Sequence, residues 1–160
     1  MTKEVLQKTG AEITWGSAGG ESEVLTLANL ATTGVREGEE HDFTDTHAPC
    51  YMLFFRTDFA AAPTAGLIVE IYFAWSHDGT LYDGVHGGAD AGGATTKLPN
   101  MHLVHVHICT NDTDEQYSSA IISAPSRYGA PAVYNASGQT MQNTAANHEL
   151  ILVPLIPEIQ

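Results

Sequence analysis

Apolar and polar residues alternate along this chain in short runs of period two. EVLTLANL (23–30) alternates, with Val24, Thr26, Ala28 and Leu30 on one side and Leu25, Leu27 and Asn29 on the other. MHLVHVHIC (101–109) alternates too: Leu103, His105 and His107 are expected on one face, and Val104, Val106 and Ile108 on the other. CYMLFFRTDF (50–59) and GLIVEIYFAWS (66–76) are nearly continuous runs of apolar, aromatic and β-branched residues. YSSAIIS (117–123), APAVYN (130–135), HELILVPLI (148–156) and a short AEITW (11–15) complete the set. No window carries a capped i, i+3, i+4, i+7 stripe, and residues 2–9 offer at most one helical turn. Pro154 cannot donate to a ladder, which predicts an edge or a bulge for the last strand.

The connections fit strands. SHDGT (76–80), TNDTDE (110–115) and NASGQ (135–139) are rich in residues that tolerate tight turns. DGVHGGADAGGATT (83–96), with five glycines and one valine, reads as a surface loop. The pattern predicts an all-β, single-domain β-sandwich, jelly-roll-like, with seven to eight antiparallel strands. The sandwich is expected over residues 21–160. Residues 1–20 read as an N-terminal arm or short strand suited to ordering on docking.

Charge narrows the partners. Six Lys+Arg against 19 Asp+Glu give a net charge of −13, so phosphate backbones and anionic headgroups repel this chain. Neither nucleic acid nor membrane is an expected partner. No apolar run reaches a membrane span, and the first residues lack the pattern of a signal peptide. The charge is uneven. Residues 1–45 hold nine acidic and three basic residues, whereas Glu149 and Glu158 are the only charges from Tyr128 onward. That nearly uncharged third must be largely buried, and a chain of this size has limited room for it, so the excess is either covered by copies of the chain or kept soluble by its Ser, Thr, Asn and Gln. Cys50 and Cys109 lie in separate apolar segments and read as free thiols.

Few residues suggest chemistry. His105 and His107 at i, i+2 can share a metal, as on the metal-binding strand of cupins. The cupin glutamate that should follow is replaced by Thr110 and Asn111, and a solvent- or subunit-facing pair is the simpler expectation. Asp78, Asp83 and Asp90, or Asp112, Asp114 and Glu115, place oxygen ligands in loops without the spacing of a calcium motif. No nucleophile elbow, P-loop or dinucleotide fingerprint is present, so no catalytic residue and no cofactor is expected. Exposed loop tyrosines such as Tyr82 and Tyr128 leave a carbohydrate-binding jelly-roll module as an alternative. A cupin-like enzyme using His105 and His107 is another.

Several segments in order resemble small virion proteins of tailed bacteriophages. They are EGEEHDFTDT (37–46), PTAG (63–66) leading into VEIYFAWS (69–76), and DGVHGGADAGG (83–93). RYGAP (127–131), NASGQ (135–139) and ANHE (146–149) close the series, so that the likeness covers roughly residues 37–155. The resemblance implies a non-enzymatic jelly-roll decoration, or cement, protein. It would be made in the bacterial cytoplasm, bind the outside of the capsid as a homotrimer, and stabilise the mature shell. Its partners would be the major capsid protein and itself; neck or tail attachment stays open. Val133, Tyr134, Leu150 and Leu152, in the uncharged third, are the expected oligomer interface.

Overall fold

The computed structural model describes the backbone of residues 5–159 and the side chains of residues 10–156. The strands in chain order are β1 (Val5–Thr9), β2 (Ile13–Gly16), β3 (Glu23–Val24), β4 (Val35–Glu37), β5 (His41–Asp42), β6 (Cys50–Thr57), β7 (Ile68–Ser76), β8 (Ala91–Gly92), β9 (His102–Ile108), β10 (Gln116–Ile122), β11 (Tyr128–Ala136) and β12 (Glu149–Ile159). One sheet runs β10-β6-β12-β2-β3 with β1 also on β12; the other runs β8-β4-β11-β7-β9 with β5 also on β11. Eight strands (β2, β4, β6, β7, β9, β10, β11 and β12) carry the sandwich. Their orders, β10-β6-β12-β2 and β9-β7-β11-β4, are those of a jelly roll, in which successive strands cross between sheets except at the β7–β9 pair. All pairings are antiparallel except β2–β3.

The core lies between the sheets. Trp15, Tyr51, Leu53, Phe55, Val69, Ile71, Phe73, Val133, Leu150 and Leu152 point inward from alternate positions of their strands. Phe73 stacks on Trp75 with centroids 5.1 Å apart, and Phe43 packs edge-on to Tyr51 at 5.5 Å. Gly129 meets this cluster closely. A Cβ there would lie 2.4 Å from Trp75 Cζ3 and 3.0 Å from Phe43 Cε2. Gly129→Ala is therefore expected to cost about 2–3 kcal/mol through overpacking, read as a fall of roughly 5–10 °C in Tm.

The uncharged C-terminal third is explained inside the chain. Its two long strands, β11 and β12, are the central strands of the two sheets and have partners on both sides. Charges there would be desolvated without relief. Central placement also corrects the expectation for Pro154. β12 pairs with β6 along one side, while on the other β2 ends at Ile13 and β1 begins at Thr9. Pro154 falls at that break, where its carbonyl accepts from Gly10 N at 3.1 Å. A residue's N and C=O leave a strand on the same side, so the missing donor faces the gap rather than a partner. Sheet two repeats the arrangement: Pro131 of β11 sits between β5 and β4, and its carbonyl accepts from Gly38 N at 2.8 Å.

Three further expectations are revised. β1 and β2 belong to the first sheet, and Ile13 and Trp15 are core residues, so the sandwich starts well before residue 21. Of the arm or short strand expected over residues 1–20, strands form, at Val5–Thr9 and at Ile13–Gly16 within the expected AEITW stretch, in place of a helical turn over 2–9; residues 1–4 lie outside the described residues. EVLTLANL is a strand only at Glu23–Val24. Beyond it Leu25 and Leu27 are buried, but the backbone bonds to scattered partners: Leu25 N to Gly16 O, and Asn29 N to Gln142 O. A wandering loop here copies the burial rhythm of a strand. The glycine-rich stretch is likewise no loose loop. With its continuation to Met101 it folds as a strap over the outer face of the second sheet, and Leu98 and Met101 pack on Ala74, Ala132 and Val35. Lys97 Nζ donates to Glu37 Oε1 at 2.7 Å, and the Arg36 guanidinium pairs with Asp90.

Candidate functional site

The two outer faces differ. The strap covers much of the second sheet's face, while no described element packs over the first sheet's outer face on β10, β6 and β12. Register sets out its rows: Tyr117–Arg56–Glu149, then Ser119–Phe54–Ile151, then Ile121–Met52–Val153, then Cys50–Leu155. Three of these rows hold no charge. Phe54, Tyr117 and Ile121 are 44%, 66% and 67% exposed. Arg56, in the first row, is consumed by Glu149 at 3.2 Å and Glu115 at 3.8 Å. Between the first two rows runs an open groove of 470 Å³, walled by Phe54, Tyr117, Ser119 and Ile151, with the paired Arg56 and Glu149 also in its lining. Contiguous exposed apolar surface of this kind marks an interaction site.

Around this face the molecule is acidic, and its cations are committed. Among the described side chains Arg36 pairs with Asp90, Arg56 with Glu149, Lys97 with Glu37, and Arg127 with Asp42 at 2.7 Å. The Arg127 hydrogen bonds hold the Asp42 carboxyl far below the usual carboxylate range. A second copy therefore brings acidic surface to acidic surface everywhere except at an uncharged face.

The expected interface residues separate. Val133, Leu150 and Leu152 are fully buried inside the sandwich, so none can meet a partner; alternation points them into the core. Tyr134 lies on the other face of β11, half-buried beside the strap cluster. The face that can serve instead is offset by one residue: Ile151 and Val153 rather than Leu150 and Leu152.

His105 and His107 do come together, but facing inward. Ile71 pairs with His105 and Tyr72 with Leu103, so Val104 is an extra residue in a bulge and packs toward the core. The aliphatics Leu103 and Ile108 are exposed, reversing the expected polarity, and His107 is buried against Phe55. Hydrogen bonds explain the reversal. Gln116 donates through Nε2 to the carbonyls of Thr110 and Asp112, which turns its Oε1 toward Thr110 N–H and His107. His107 Nε2–H then donates to Gln116 Oε1 at 3.3 Å, and its Nδ1 accepts from Ser118 Oγ–H at 2.9 Å. His105 Nε2–H donates in turn to Ser118 Oγ at 2.8 Å. The relay ties the open edges of the two sheets together. It uses both nitrogens of His107, and no third His, Cys, Asp or Glu among the described residues joins the pair in a metal-binding group. This donor set does not fit a cupin-type metal. Sequence spacing could find the pair; only Gln116 and Ser118, on the next strand, reveal what it does.

The other candidates are engaged in fold. Asp78 accepts from Thr80 N and Leu81 N, Asp83 from Trp75 N, and Asp90 from Thr26 and Arg36. Asp112 Oδ1 accepts from Asp114 N at 3.2 Å. Asn135 is buried and bonds Leu30 O, Gln139 O and Ser137, so the NAS triplet is a turn lock. Cys50 and Cys109 are free thiols, and burial pushes Cys109 up to about 11.

No family model matches this chain, and no curated protein matches it in sequence.

Four histidines give the fold a pH dependence. Burial holds His86, His105, His107 and His148 below the ordinary imidazole value of 6.5. An unfolded chain takes up protons near pH 6.5 while the native state refuses them, so this contribution is complete above that pH and is lost below it. Glu40, raised by burial and by Glu23, Asp42 and Glu39, acts in the opposite sense as a single group. Unfolding free energy from urea titrations is expected to be flat from pH 8 to 7 and to fall steadily from 6.5 to 5.

Proposed function

We propose that this chain is a non-enzymatic structural protein of a phage virion, a decoration protein that assembles as a homotrimer and binds the outside of the mature capsid. The observation that carries the reading is the uncovered outer face of β10, β6 and β12, three of whose four rows hold no charge, on a molecule of net charge −13. Copies of a chain so acidic, with its described cations already paired, associate most readily through a face that carries no net repulsion. The ordered likeness of residues 37–155 to small virion proteins supports the same reading.

The function follows from linkage. A protein that binds the expanded shell and not its precursor stabilises the expanded state by mass action, and three linked copies add avidity to weak individual contacts. The jelly roll suits this task because its core is complete within one chain, leaving the outer faces free for contacts.

The test is co-sedimentation of purified protein with phage heads lacking it, in expanded and unexpanded forms. Saturable binding to expanded heads, with little to unexpanded ones, is expected. Equal binding to both, or none, sinks the proposal.

A further inference from the structure

Trp75 carries a buried donor with nothing to receive it. The residue is 6% exposed, and its Nε1–H is shielded from water without a hydrogen-bond partner among the described residues. Atoms of Glu40, Arg56 and Tyr82 share that condition, but those side chains are only partly buried. A buried indole N–H is ordinarily matched, as that of Trp15 is by Glu39 O at 2.8 Å.

Geometry says where the donor points. Gly129, opposite Trp75 on β11, lies against the Cε3–Cζ3 edge of the indole, where a Cβ would come within 2.4 Å of Cζ3. Nε1 is on the other long edge of the ring, so it faces away from β11, toward the β9 side of β7. No strand covers that side at this level. β9 begins at His102, opposite Phe73, and Trp75 N donates to Asp83 Oδ2 at 3.3 Å instead of to a ladder carbonyl. An open notch of 370 Å³ with Trp75 in its wall lies here, between the start of β9 and the end of β10. Its volume is that of a small-ligand pocket, about 300–1,000 Å³. Leu103, Val104, Ile122 and Pro125 make the wall around Trp75 aliphatic, and the exposed Ser123 and His102 stand at the mouth.

We propose that this notch is a binding site for a small uncharged carbonyl compound, an amide or ester. Its oxygen accepts from Trp75 Nε1–H while its alkyl body lies on the aliphatic wall. The lining selects that class. No carboxylate, ammonium or guanidinium among the described residues lines the notch, so a cation finds no carboxylate to pair with, and a net charge of −13 repels anions. An indole N–H only donates, and no side chain of the aliphatic wall accepts. A hydroxyl at that depth would satisfy the indole and leave its own proton unmatched, whereas a carbonyl only accepts. The site does not depend on how copies of the chain associate.

The experiment titrates the two indole N–H resonances of the nitrogen-15-labelled chain at pH 7.5 with N,N-dimethylbutyramide, 1-hexanol and hexanoate; Trp75→Phe assigns the signals. In the free chain the Trp75 N–H is expected upfield of the hydrogen-bonded Trp15 N–H. N,N-dimethylbutyramide is expected to move it downfield saturably, with a Kd of about 1–10 mM for so small a ligand. Binding of 1-hexanol is expected to be at least about fivefold weaker, and hexanoate is expected to leave the signal in place. Ser123→Phe, at an exposed position, is expected to keep Tm and weaken amide binding at least about fivefold by filling the mouth. A Trp75 signal that the amide does not move overturns the site. An equal response to hexanoate overturns the ligand class. A response that Ser123→Phe leaves within twofold of wild type puts the ligand elsewhere and overturns the site as well.

Discussion

Leu152→Glu is expected to unfold the chain rather than to dissociate an assembly. Leu152 is completely buried on β12, opposite Leu53 on one side and Ile13 on the other. Glutamate there forfeits the packing of a core leucine and sets a carboxylate among apolar side chains, where no described cation is free to pair with it. The two losses together are worth about 4–5 kcal/mol or more, against about 5–15 kcal/mol for a whole domain. Val133→Glu is expected to behave alike, because Val133 is buried on the facing central strand. Far-ultraviolet circular dichroism and a urea titration check this. A folded variant with native urea midpoint and reduced mass would instead place Leu152 at an interface.

The face one residue out of phase gives the opposite result. Phe54→Glu combined with Ile121→Glu is expected to leave the unfolding free energy of the single chain within about 1 kcal/mol of wild type while reducing the assembly to monomers. Both side chains point outward from neighbouring strands and are largely exposed in the single chain, so solvated carboxylates there cost the fold little. In the assembly they would be buried and would repel their counterparts on copies already carrying −13. Removing two central apolar contacts typically costs about 2 kcal/mol each at an interface, and repulsion adds to this, so association weakens by at least about a thousandfold. Mass photometry and a urea titration on one preparation separate this outcome from unfolding.

The contrast between these variants marks what sequence reasoning reached. Class and the long strands followed from periodicity, because β6, β7, β10, β11 and β12 are local patterns of seven to eleven residues, whereas the short β4, β5 and β8 leave no such pattern. Which side of a strand faces the core was not local. Along CYMLFFRT both parities are apolar, and only the pairing of Tyr51, Leu53 and Phe55 with core residues of other strands shows that Met52 and Phe54 lie outside. That double-sided apolarity was itself the available sign of an uncovered face. The same limit misplaced the C-terminal third: low charge signals burial, but a central strand and a subunit interface share that composition. β9 misled in another way, since a one-residue bulge at Val104 and two polar partners on β10 turned imidazoles inward and aliphatics outward.

The segments that carried the virion likeness proved to hold fold positions. Gly129 clears space for Trp75, Asn135 locks the Ser137 turn, His148 bridges Thr57 and Gln142 O, and Glu37 anchors Lys97 of the strap. A likeness made of such residues speaks to architecture more strongly than to the surface that binds, and the surface is where function has to be tested.

Sedimentation equilibrium of the wild-type chain at pH 7.5, over micromolar concentrations and at low and moderate salt, tests the assembly face most directly. A mass of three times 17.1 kDa is expected, and it should persist or strengthen with salt as screening relieves repulsion between acidic subunits. A single species of 17.1 kDa at every concentration would contradict a self-assembling outer face.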